Sequence, residues 1–186
     1  RIKMSDKIKI DLIFQVSICV NDMEAVMKNF RELFDIDEST LIKRCTKDFY
    51  DRGEFDGARY LGKHCEFYIK YYRFDLGGID FEIIEPLDKN LGNPYSDFLI
   101  QNGGKNGIHH IACKIHDRTV FIQKMEQMGI PPLTCGTMGA PMPNGEKKDF
   151  YFYDLRDLLG IIIEAGNIVV GPLANHPLAG NPEGYV

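Results

Sequence analysis

Gln15, Glu82, His110 and Glu164 are the residues with the most chemistry to offer in this 186-residue chain. Each interrupts an apolar, strand-like run. The runs are Phe14-Gln15-Val16-Ser17-Ile18-Cys19-Val20, Phe81-Glu82-Ile83-Ile84, His109-His110-Ile111-Ala112-Cys113 and Ile163-Glu164-Ala165. Burying two carboxylates, an imidazole and an amide among such neighbours is costly unless something compensates. A divalent cation would neutralise both glutamates and accept a lone pair from all four side chains. Three oxygens and one nitrogen, with room left for water or substrate, point to Zn, Ni, Co or Mn. Sites for Ca or Mg are built from oxygen and do not normally use an imidazole. Taken singly, each of the four is more readily explained as a hydrogen-bonded strand residue; their joint placement carries the reading.

That placement is a repeat. The segment Phe14 to Asp22 can be laid over His109 to Asp117, about ninety residues on, which sets Gln15 against His110, Ser17 against Ala112 and Asp22 against Asp117. Each half then ends in an apolar strand carrying one glutamate, Glu82 or Glu164. His109 is adjacent to the matched position, so strand alternation points it outward or behind the ligands. His64, His116 and His176 have no counterpart and read as surface residues.

The elements needed to hold these residues can be read along the chain. A strand over 12–20 is followed by the N-cap signal Asn21-Asp22. Met23, Val26, Met27, Phe30, Leu33 and Phe34 then fall at helical spacing. The polar stretch 46–63 reads as a surface insertion. Strands over 65–74 and 79–85 are joined by Leu76-Gly77-Gly78, and Asn93-Pro94 opens a short helix that stops at Gly103-Gly104. In the second half a strand over 108–115 precedes a helix from Asp117, with Val120, Phe121, Met125 and Met128 on its apolar face. Residues 135–145 read as a loop, 149–154 and 159–165 as the last strands, and 167–186 as an extended tail lying on the surface or against a partner subunit. The expected fold is therefore α+β, with a βαβββ module over 12–87 and another over 108–166 in a single domain, 1–186. One four-stranded sheet with one helix cannot bury both faces. Two such modules side by side would form a curved mixed sheet with a metal-containing cleft.

Composition narrows the partners. The net charge of −5 gives no broad basic surface, so nucleic acid is not an expected partner. No apolar run approaches the roughly 20 residues of a membrane span, and the charged start of the chain lacks the apolar core of a signal peptide. Five scattered cysteines form no C-x-x-C pair. They read as free thiols in a reducing, cytoplasmic compartment.

Four segments, Gln15 to Asp22, Phe81 to Leu87, Gly107 to Ala112 and Leu159 to Glu164, resemble the vicinal oxygen chelate superfamily, the glyoxalase/bleomycin-resistance/dioxygenase fold. Gly107-Ile108-His109-His110-Ile111-Ala112 is the most specific of them. The ligand order Gln15, Glu82, His110, Glu164 resembles zinc-type lactoylglutathione lyase. The stretch Asn93-Pro94-Tyr95-Ser96-Asp97-Phe98-Leu99 running into Gly107-Ile108-His109-His110 resembles methylmalonyl-CoA epimerase. Epimerases usually have histidine at the position of Gln15, and the insertion 46–63 departs from both groups.

The resemblance implies paired βαβββ modules, often in a homodimer, and a metal-dependent lyase or isomerase acting on a small carbonyl or thioester substrate. The shared step removes a proton α to a carbonyl, with Glu164 as the base and Glu82 as its partner on the opposite face. Lys47, Arg52, Arg59, Lys63, Lys70 and Arg73 are candidate contacts for thioester phosphates or a glutathione carboxylate. A metal-free small-molecule or drug binder is the alternative. An iron dioxygenase is disfavoured, because Gln15 stands where its first histidine would be.

Overall fold

The computed structural model describes residues 7–89 and 91–185. They form strands β1 (Ile10–Cys19), β2 (Ile42–Cys45), β3 (Phe55–Tyr60), β4 (Lys63–His64), β5 (Ile69–Leu76), β6 (Ile79–Pro86), β7 (Gly107–Ile115), β8 (Thr134–Met138), β9 (Asp149–Leu155) and β10 (Ile161–Glu164). The α-helices are α1 (Met23–Leu33), α2 (Thr46–Asp51), α3 (Pro94–Gln101), α4 (Arg118–Gln127) and α5 (Arg156–Leu159). All ten strands belong to one curved mixed sheet, in the order β2-β5-β6-β1-β7-β10-β9-β8-β3-β4. Among the described residues no helix is long and apolar enough to cross a membrane.

The centre of the sheet carries the repeat. β1 and β7 run antiparallel, and each is flanked by a parallel strand from the end of its own half, β6 and β10. Gln15 lies opposite Ala112, and Ser17 opposite His110. A two-fold axis between β1 and β7 requires these pairs if Gln15 corresponds to His110 and Ser17 to Ala112. On the flanks Glu82 pairs with Ser17 and Glu164 with Ala112, so the glutamates correspond as well. Asp80, paired with Gln15, has Ile162 as its counterpart, paired with His110.

The register slips at two matching places. Phe14 is the extra residue between the pairs Ile13–Cys113 and Gln15–Ala112, and His109 is the extra residue between Ser17–His110 and Ile18–Ile108. A bulge breaks the strict alternation of a strand and re-aims a side chain. Phe14-Gln15 and His109-His110 are accordingly all buried. Of the two readings of His109, outward or behind the ligands, the structure has the second: it is buried against His110, because strict alternation fails at the bulge.

The helices seal the other face. Asp22 Oδ1 accepts from the Ala25 amide at 2.9 Å and Asp117 Oδ1 from the Val120 amide at 3.0 Å, capping α1 and α4 alike. Met23 and Met27 bury themselves against Tyr72, Phe74 and Ile83. Phe121 and Met125 do the same against Tyr153 and Ile163.

Three segments differ from their sequence reading. The stretch 46–63 is not a surface insertion: it contains α2 and β3, and β3 pairs antiparallel with β8. Phe55 and Ala58 from it join a core with Phe67, Phe150 and Phe152, and Tyr60 is buried as well. Part of the expected 135–145 loop is strand, since Cys135 to Met138 lie in β8. Gly136 suits this place, because a Cβ there would come within 3.1 Å of the Ala58 backbone. The tail folds onto the chain's own cleft. Val169 and Ala179 are buried with Phe14 and Ala112. Asn181 ties the tail to itself, accepting from the Val169 amide at 2.9 Å and donating to the Val169 and Ala174 carbonyls at 2.7 and 3.0 Å.

Candidate functional site

The inner face of the sheet encloses a cavity of about 590 Å³, and Gln15, Glu82, His110 and Glu164 all line it. The structure thus brings together the four residues that the repeat singles out, although β1, β6, β7 and β10 each supply only one. The walls are largely aromatic, from Phe14, Phe67, Tyr71, Phe150 and Phe152, and Ile168, Val170 and Tyr185 of the tail add a further side. His64, His116 and His176 do not line the cavity.

His110 is the centre of the cluster. Its ring is 1% exposed and lies against Phe152, with centroids 4.5 Å apart. Nε2 faces Glu164 Oε2 at 3.1 Å and Glu82 Oε2 at 3.9 Å, and it makes no hydrogen bond among the described residues. Nδ1 lies 2.9 Å from His109 Nδ1. The two carboxylates are held differently. Ser17 Oγ donates to Glu82 Oε2 at 2.7 Å, whereas His110 is the only ion-pair or hydrogen-bond neighbour of the Glu164 carboxylate among the described residues.

Gln15 is oriented by a charge that the sequence reading did not include. Its Nε2 donates to Asp80 Oδ2. Arg73 grips the same carboxylate with Nε at 2.8 Å from Oδ2 and Nη2 at 3.1 Å from Oδ1. With the amide nitrogen engaged, Oε1 is the atom left to face Ser17, which approaches it at 3.4 Å. The signal for Asp80 is present in the repeat, as a lone carboxylate where the other half has Ile162.

Burial dominates the electrostatics. It pushes both Glu82 and Glu164 up to about 8, against the partial opposition of Arg73 in each case and of Ser17 at Glu82. It lowers His110 to about 3 and His109 well below the usual imidazole range. The signs then fix how the metal-free protein responds to pH. Between about pH 4.5 and 6.5 the folded state holds two extra carboxyl protons, and the unfolded state holds two extra imidazole protons, so the contributions offset each other. From about pH 6.5 to 8 only the carboxylates differ, and stability falls by about 1.4 kcal/mol per pH unit for each. Denaturant unfolding with a chelator present is expected to show this fall, and the Glu82→Gln/Glu164→Gln double variant is expected to lose it. A wild type whose stability rises across that window relative to the variant would contradict the assignment.

These donors suit a divalent ion. A buried imidazole nitrogen without a hydrogen bond among the described residues, two desolvated carboxylates and an amide bordering the same cavity are what such an ion satisfies. Among the described residues no three His, Cys, Asp or Glu side chains already converge in an ion-binding arrangement. Glu82, at 3.9 Å from Nε2, would have to draw inward.

The expected cationic contacts divide. Arg52 and Arg73 line the cavity, and the other four do not. Lys47 is engaged with Asp51, Arg59 with the Gly62 carbonyl and Lys70 with Glu85. Arg44 and Lys148, not singled out by the sequence reading, line the cavity in their place. Neither makes an ion pair among the described residues, and the Lys148 ammonium stands 5.1 Å over the Tyr185 ring.

Residues 14–152 match the family model of the Glyoxalase/Bleomycin resistance protein/Dioxygenase superfamily. No curated protein sequence gives a significant match. Among solved structures, the methylmalonyl-CoA epimerase of Mycobacterium tuberculosis is similar at a TM-score of 0.52 and 15% identity, over 84% of this chain and 87% of that one. A Streptomyces coelicolor methylmalonyl-CoA epimerase variant in complex with 2-nitronate-propionyl-CoA is similar at 0.51 and 14%, over 85% and 94%. A methylmalonyl-CoA epimerase in complex with methylmalonyl-CoA and NH4+ gives the same scores and coverage. At these identities the likeness is one of fold.

Proposed function

The chain belongs to the glyoxalase/bleomycin resistance protein/dioxygenase superfamily, and on that premise we propose that it is a metal-dependent lyase or isomerase that moves a proton on the carbon next to a carbonyl. The observation that carries this reading is His110 Nε2, buried, without a hydrogen bond, and flanked by two carboxylates in an aromatic cavity. Gln15 Oε1, Glu82, His110 Nε2 and Glu164 would hold the ion. When bound, a divalent ion stabilises negative charge developing on a substrate oxygen.

The remaining work belongs to the chain. Glu164 is the base, because among the described residues its carboxylate has no fixed hydrogen-bond donor and it borders the cavity beside His110. Glu82, anchored by Ser17, faces it from the equivalent strand of the other half and serves the opposite side of the substrate. The aromatic walls exclude water from the reacting carbon. Lys148 and Arg44 border the cavity without an ion pair among the described residues and are placed to receive acidic groups of the substrate, which favours an anionic carbonyl compound or thioester. The solved relatives holding propionyl- and methylmalonyl-CoA ligands support the thioester side.

The test is metal analysis of the purified protein, followed by incubation of 2-hydroxycarbonyl compounds and 2-methyl acyl thioesters in deuterated water. Tightly bound Zn, Ni, Co or Mn and metal-dependent deuterium uptake at the α-carbon are expected. A protein with no metal and no exchange would be a small-molecule binder on the same fold. Iron with oxygen consumption would make it a dioxygenase.

A further inference from the structure

The two bulges occupy equivalent places in the halves, yet one carries Phe14 and the other His109. Both residues are buried, 3% and 1% exposed. In the first half a plain phenyl ring therefore suffices to fill a bulge of this kind. The second half holds an imidazole there, in surroundings that are otherwise aromatic. Its ring centroid lies 4.8 Å from Tyr95, 5.1 Å from Phe98 and 6.0 Å from Phe152. Packing gives no reason for two ring nitrogens at this place; hydrogen bonding does.

Among the described residues the ring nitrogens of His109 have one partner each. Nε2 is 3.4 Å from the Pro94 carbonyl oxygen, in the first turn of α3, and Nδ1 is 2.9 Å from His110 Nδ1. A carbonyl oxygen can only accept, so a neutral His109 donates Nε2–H to Pro94. Its Nδ1 then carries the lone pair and must accept from His110. This makes Nδ1–H the proton-bearing nitrogen of His110 and leaves its Nε2 as a bare lone pair. That is the nitrogen which lies between Glu82 and Glu164 without a hydrogen bond.

We propose that His109 is a positioning residue: a relay from the Pro94 carbonyl through His109 to His110 fixes the His110 tautomer and ring orientation so that Nε2 presents its lone pair to the cavity. Ligating histidines generally have their second nitrogen fixed by a carboxylate, a carbonyl or water; here a second imidazole does it and passes the constraint on to the start of α3. The relay gives the invading imidazole its purpose and gives α3 a role in the site that its sequence, Pro94-Tyr95-Ser96-Asp97-Phe98, does not announce. The part of the proposal that concerns ion binding rests on the metal reading above; the tautomer part does not.

The tautomers can be read in the metal-free protein by long-range ¹⁵N–¹H correlation of the imidazole rings near neutral pH. The expected result is a protonated Nδ1 and a bare Nε2 on His110, with the reverse on His109. A proton on His110 Nε2, or on His109 Nδ1, would overturn the relay. Variants supply the second arm. His109→Phe installs the residue that the equivalent bulge already accommodates, so the fold should persist while the His110 tautomer is released. Its affinity for Co(II) should fall about 10- to 100-fold. His109→Asn places an amide oxygen near the position of Nδ1 and should recover part of that loss. Equal affinity in His109→Phe and wild type, or equal loss in both variants, would reduce His109 to a packing residue. If wild type binds no divalent ion at all, the metal reading fails, and the tautomer spectrum still decides the relay.

Discussion

Glu164→Gln is expected to lower α-proton exchange about 10²- to 10⁴-fold, the range general acid-base catalysis supplies, even where metal remains bound. The substitution keeps the shape of the side chain and one of the two oxygens that could face an ion, but removes the group that takes the proton. The effect should fall on kcat, because an amide in this place still fills the same volume beside His110. Thermal unfolding separates loss of chemistry from loss of fold. In the metal-free protein at alkaline pH the variant should be at least as stable as wild type, because a neutral amide avoids the desolvation that raises Glu164 to about 8. Exchange near the wild-type rate, with metal content measured alongside, would remove Glu164 from the role of base. The same measurement on Glu82→Gln asks whether the second carboxylate acts on the opposite face.

The second large effect concerns stability. Arg73→Met should destabilise the protein by about 3–5 kcal/mol, the usual consequence of stranding one member of a buried ion pair. The two side chains are 18% and 3% exposed, and among the described residues Asp80 has only the Arg73 and Gln15 side chains to satisfy it. A loss of that size is a large share of the stability of a domain of this class. The repeat suggests the rescue. Asp80 stands where the other half has Ile162, so Arg73→Met combined with Asp80→Ile replaces the pair by apolar groups and should recover most of the loss. The double variant should still bind metal less well than wild type, since Gln15 has lost the carboxylate that holds its amide nitrogen. Denaturant midpoints for the single and double variants test the first statement, and Co(II) titration tests the second. A single variant within about 1 kcal/mol of wild type would mean that solvent reaches Asp80.

Much of this site was legible in the residues because strand geometry is local. Side chains alternate with a period of two, so a polar residue inside an apolar strand declares its face. Two strands carrying the same pattern declare their equivalence. Strand pattern alone sets Gln15 against His110 and Glu82 against Glu164, and the pairing across β1, β6, β7 and β10 has the same correspondence. The helix caps at Asp22 and Asp117 are local for the same reason: a short side chain reaches an amide three residues on.

What the residues did not disclose depends on partners far apart in the chain. Phe55 and Ala58 look like scattered apolar residues in a polar stretch until β3 meets β8 and gives them a core to enter. The tail becomes a wall of the cavity only because Val169 and Ala179 find Phe14 and Ala112. Asp80 gains its meaning from Arg73 on the neighbouring strand, and Lys148 from the cavity that it borders. His109 is the clearest case. Period-two alternation leaves it outward or behind the ligands, and a single extra residue in β7 turns it inward against His110. The four polar positions on two matched halves were determined by sequence pattern. Which nitrogen of His110 is free, and which end of the Gln15 amide is held by Asp80, was decided by tertiary contacts, because orientation is fixed by hydrogen-bond partners that lie on other elements.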